Sequence, residues 1–134
     1  MLQKTLLDEG LSLIVIDENG RKFSSRKNGI KPLLDCLDSE EITLRGAQVA
    51  DKVVGRAAAL LFALSEIKSL YATVLSEKAI DILDSAGIDY AFGTLVPYIK
   101  NRDENGMCPI EQSVTDMADP TTARRVIEEA LRRL

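Results

Sequence analysis

The chain has 134 residues, 46% hydrophobic and 28% charged, with a net charge of −4 and a pI near 4.9. These are ordinary globular values for a length that buries a sizeable core as one domain, and they exclude global disorder. The acidic balance argues against nucleic acid as the main partner, and no apolar run reaches the ~20 residues that span a bilayer. The first residues, Met1-Leu-Gln-Lys-Thr-Leu-Leu-Asp8, lack the apolar segment of a signal peptide, so a cytoplasmic protein is expected. In that reducing compartment Cys36 and Cys108 are read as free thiols.

Leu2, Leu6 and Leu7 mark a short opening helix that Gly10 stops. Leu11–Ile16 reads as a strand, Glu18-Asn-Gly20 as a hairpin turn and Arg21–Ser25 as the returning strand. Apolar residues at 30, 33, 34 and 37 predict a helix, with Pro32 in its first turn. Thr43–Val49 is ambiguous, a short extended piece broken by Gly46. Val53–Leu64 is apolar nearly all round and predicts a buried helix with Asp51 and Lys52 just before it. Lys68–Leu75 and Ile88–Val96 predict strands flanking a helix, Ser76–Ser85, that Gly87 ends. A polar loop, Asn101–Gly106, precedes helices over Pro109–Met117 and Pro120–Leu134. Helix crossovers join parallel strands, so the order predicts a mixed sheet between helices, a three-layer α-β-α arrangement of the α/β class.

The hairpin, the helix from Asp51, the strand Tyr71–Leu75 and the helix ending Ala86-Gly-Ile88 resemble the cytidine-deaminase-like superfamily. Gly29-Ile-Lys-Pro-Leu-Leu34, Ala50–Leu60, Leu95-Val-Pro-Tyr-Ile99 and Asn101-Arg-Asp…Gly-Met-Cys-Pro-Ile-Glu111 are similar to a small prokaryotic family of unknown function placed in it. The resemblance implies a cytidine-deaminase-like mixed sheet. Zinc deaminases take ligands from a His-x-Glu and a Pro-Cys-x-x-Cys. By this resemblance the two cysteines fall on about Ser76 and Ala79, and the histidine and glutamate between Val54 and Ala57. The chain contains no histidine at all, and serine is a poor zinc ligand. No metal, no cofactor and no hydrolytic deamination are therefore expected.

The remaining polar residues suggest two readings. In the first, Asp51, Lys52 and Arg56 at a helix start, with Ser76 and Arg102, grip a small anionic or nucleotide-like ligand. Arg56 stands among apolar neighbours, so its guanidinium needs a buried carboxylate, Glu77 or Asp51, or a ligand. Ser76 reads most simply as the cap of its helix. In the second, Cys108 is a nucleophile, placed by Gly106 and Pro109 at a helix start and assisted by Arg102, Asp103 and Glu111. Its plainer role is a small buried hydrophobe, and that of Glu111 a capping-box carboxylate for its own helix. Val126, Ile127, Ala130, Leu131 and Leu134 form an apolar face that packs on the domain or on a second subunit, which leaves a homo-oligomer open.

Overall fold

The computed structural model describes residues 2–134. Helix α1 (Leu2–Asp8) leads into a hairpin of β1 (Leu13–Ile16) and β2 (Lys22–Ser25), followed by α2 (Lys31–Asp38) and β3 (Gln48–Val54). Two crossovers come next, α3 (Arg56–Ser65) to β4 (Ser69–Ser76) and α4 (Glu77–Ser85) to β5 (Asp89–Val96). The chain closes with a short α5 (Pro109–Ser113), a 3-10 turn (Pro120–Thr122) and α6 (Ala123–Arg132). The sheet order is β2-β1-β3-β4-β5; β1 is antiparallel to both neighbours, and β3, β4 and β5 are parallel.

The helix expected from Asp51 onward starts only at Arg56, because Gln48–Val54 is the central strand. Val49, Val53 and Val54 are β-branched and suit a strand, and β3 finds partners on both sides, β1 and β4. The helical pattern belongs only to Arg56–Ser65, where Ala57 through Phe62 are all buried. The helix expected over Pro109–Met117 also stops early, at Ser113.

The layers are unequal. Leu13, Val15, Val49, Leu70 and Ala72 face the main core, which they share with Leu33 of α2, Phe62 of α3, Leu83 of α4, Ile110 of α5 and Ile127 of α6. On the other face only α1 is laid down, with Leu6 and Leu11 packed on Ile14 and Ala50. Among the described residues the third layer is therefore α1 alone, and β5 is left largely bare.

Asp17 locks the hairpin. Its buried carboxylate accepts from the N–H groups of Asn19 (2.9 Å), Arg21 (2.9 Å) and Thr43 (3.3 Å), and from Nε of Arg21 (3.0 Å). Burial alone would raise its pKa, but these donors and the Arg21 charge outweigh it and hold the carboxyl below its usual range.

Candidate functional site

The three parallel strands end at one rim, where α3 and α4 begin, and the C-terminal ends of strands are where open α/β sheets bind ligands. Three residues singled out from the sequence meet there. Arg56, whose side chain is only 12% exposed, donates from Nε to the Met117 carbonyl (2.9 Å) and from Nη1 to the Lys78 carbonyl and the Asp81 carboxylate (both 2.8 Å). Its partner is thus Asp81 on α4, not Glu77 or Asp51. The guanidinium ties the start of α3 to α4 and to the segment after α5.

Glu111 serves α3 rather than its own helix. Its carboxylate accepts from the N–H groups of Arg56 (2.6 Å) and Ala57 (3.0 Å), two of the donors that the start of a helix leaves unpaired. This corrects the capping-box reading. Gly55, the N-cap of α3, has no side chain with which to cap, and a Cβ there would collide with the Glu111 carboxylate. The glycine is the space through which the distant carboxylate enters. Burial raises the pKa of Glu111, opposed by the two N–H groups and the Arg56 charge, and the net shift is upward. Ser76 is fully buried and caps α4, its Oγ accepting from the Lys78 N–H at 3.0 Å.

The other expected residues stand elsewhere. Asp51 and Lys52 lie within β3, so neither can cap or flank a helix start. Asp51 pairs with Leu13 and Ala72 in the middle of the sheet. Desolvation pushes its carboxyl up to about 8, although the N–H groups of Lys52 and Val53 partly offset this. Arg102 and Asp103 are exposed in the Asn101–Gly106 loop, which Asn101 closes on itself by accepting from the Asn105 N–H (3.2 Å) and donating to its side chain (2.8 Å). Cys108 is the half-buried N-cap of the five-residue α5, and its sulfur side packs toward the core. The helper groups imagined for it do not converge, since Glu111 is engaged with α3. Cys36 is almost fully buried, and burial pushes its thiol up to about 12.

A further polar group lies beside Asp51. Strand pairing runs through Asp51, Ala72 and Phe92 and resumes at Val53, Val74 and Thr94, skipping Lys52, Thr73 and Gly93. In that row the hydroxyl of Thr73 is buried without a hydrogen-bond partner among the described residues. A Cβ at Gly93 would stand 2.8 Å from the Thr73 carbonyl and 3.0 Å from the Tyr71 hydroxyl, so Tyr71 lies across the glycine. Among the described residues, no group of three or more His, Cys, Asp or Glu could hold a metal ion. Two clefts, of about 280 and 410 Å³, involve Leu64 and Ser65 in one case and Ala63, Ser85 and Ala86 in the other. The first lies at the far end of α3 beside α2 and the second at the far ends of α3 and α4, and neither contains a residue expected to bind ligand.

The geometry defines an α/β domain whose helix-starting rim is closed by its own side chains. The chain belongs to the DUF1893 family, a domain of unknown function whose family model matches residues 1–131. A crystal structure of a DUF1893 family protein (TM1506) from Thermotoga maritima, at 2.70 Å resolution, superposes with a TM-score of 0.82 at 29% identity. The match covers 99% of this chain and 87% of that one. No curated protein matches the chain. No helix among the described residues is long and apolar enough to cross a membrane.

Proposed function

We propose that this domain works by binding a protein partner through β5, using a deaminase-like scaffold without metal chemistry. The observation that carries this reading is the contrast in free groups. At the rim, Arg56, Glu111 and Ser76 all have internal partners, and Ala79, where the resemblance would put a cysteine, is fully buried. By contrast β5 is an eight-residue edge strand, exposed along most of its length, with Phe92 41% and Leu95 39% exposed. An open edge supplies main-chain donors and acceptors that an added strand satisfies, and apolar side chains that give it specificity. A photoreactive phenylalanine analogue at Phe92, expressed in the host cell, tests this. Adducts should form from position 92 and not from Arg125, an exposed control position on α6. Equal labelling from both positions, or none from 92, would sink the reading.

The anionic-ligand reading keeps one support. Lys52 and Arg102 are exposed, and their charged heads have no protein partner among the described residues. If they grip an anion, titration with a nucleoside triphosphate should show saturable binding that Lys52→Met or Arg102→Met weakens. Unchanged binding in both variants removes it. The cysteine-enzyme reading has no comparable support, because no side chain among the described residues hydrogen-bonds the Cys108 thiol and Glu111 is engaged with α3.

A further inference from the structure

Resting on that reading of β5, we propose that its occupant is a second copy of this chain, paired antiparallel edge to edge into one ten-stranded sheet.

The two edges of the sheet differ in kind. The β2 edge has four residues, carries Lys22, and is followed at once by Arg26 and Lys27. Short length and lysines are how sheets keep an edge from pairing. The β5 edge has twice that length and carries no such guard within it: Asp89-Tyr-Ala-Phe-Gly-Thr-Leu-Val96 contains no Lys, no Pro and one charged residue, at its end, with Pro97 and Lys100 only beyond the strand. A two-fold pairing of β5 with itself covers both unguarded edges at once and leaves only the two guarded β2 edges outside. The assembly therefore closes as a dimer and does not polymerise. A head-to-tail contact would instead have to join β5 to the guarded edge.

The side chains fit this arrangement. Register puts Phe92 opposite Ala72 and Leu95 opposite Leu75, so both rise on the helix-bearing face, beyond the cover of α4. About a two-fold axis near the middle of β5, the partner's copies of these residues would lie beside them and complete an apolar strip. Antiparallel reversal also brings Asp89 to the partner's far end, where exposed Lys100 follows the strand. The opposite face of β5 is left open, since α1 packs chiefly on β1, β3 and β4.

The test uses the full chain in sedimentation equilibrium from low micromolar to submillimolar concentration, with amide hydrogen exchange on β5. The expected result is a species of twice 14.7 kDa, with β5 amides that exchange more slowly as concentration rises. Like charges placed opposite one another across strands oppose pairing, so Phe92→Lys with Leu95→Lys should weaken the dimer about tenfold or more. Both positions are exposed enough for the folded chain, checked by circular dichroism, to tolerate lysine. A wild-type monomer throughout, or a dimer indifferent to the lysines with unprotected β5 amides, overturns the proposal. The photo-crosslink separates the two claims. An adduct of two identical chains supports both, an adduct with another protein beside a monomeric wild type overturns only the dimer, and no adduct at 92 overturns both.

Discussion

The rim where α3 and α4 begin and the free edge of β5 are built on opposite plans. At the rim, the three polar residues that meet there find partners inside the chain: Glu111 on two N–H groups of α3, Arg56 on two carbonyls and Asp81, Ser76 on Lys78. At β5 the main-chain groups that do not pair with β4 face outward and apolar side chains stay exposed. The rim has the location expected of an α/β binding site, yet its free groups have been used to hold helices together. Location in a fold suggests a site; unpaired chemistry is what makes one.

Substitutions should separate the two regions by size of effect. Arg56→Met should be the most damaging, because it strands two carbonyls and Asp81 around an apolar stub. Discounted for the exposure of Asp81, the loss is about 3 kcal/mol in denaturant unfolding. A stable Arg56→Met protein would mean that the rim is not the structural tie described. Glu111→Ala leaves two helix-start N–H groups without their carboxylate and should cost about 2 kcal/mol.

Gly55→Ala sharpens the same point through coupling. Alone it forces the Glu111 carboxylate out and should cost about as much as losing that carboxylate. Combined with Glu111→Ala it should add little, because the colliding group is gone. Additive losses in the double variant would show that glycine is needed there for its backbone and not for the space.

A smaller and pH-dependent effect is expected from the middle of the sheet. The Asp51 carboxyl is raised from its ordinary 3.8 to about 8 in the folded chain, so folding favours its protonated form. That contribution is complete below the ordinary value and is lost as pH rises toward 8. Asp51→Asn should therefore flatten the fall in melting temperature across that window and leave the variant more stable than wild type near pH 8. Asp17 has the opposite sign: its lowered pKa contributes stability above the ordinary value, lost as pH falls through the lower one. A wild-type profile flat from pH 4 to 8 would contradict the Asp51 assignment. Least of all, Phe92→Lys at the edge should change monomer stability by under about 0.5 kcal/mol, as surface changes do. A loss as large as that of Glu111→Ala would erase the contrast between rim and edge.

Local patterns in the sequence determined most of the elements. The hairpin strands, β4, α4 and β5 follow from β-branched runs, turn residues and helical spacing, which act over a few neighbours. Ser76 as a helix cap was legible for the same reason, and the missing histidine was plain from composition. Tertiary structure decided the rest. Val49–Val54 became a strand because β1 and β4 offered partners on both sides, which no window around Asp51 contains. Gly55 fell inside the helix expected from Val53, and that the helix starts after it with a cap from Glu111, 55 residues beyond Arg56, depends on where α5 docks. Arg56 announced that it needed a partner, while the choice of Asp81 depended on how α4 packs against α3. The openness of β5 is likewise absent from its own eight residues. It arises because the last strand has no neighbour to pair with and α1 lies over the middle strands of the sheet, away from β5.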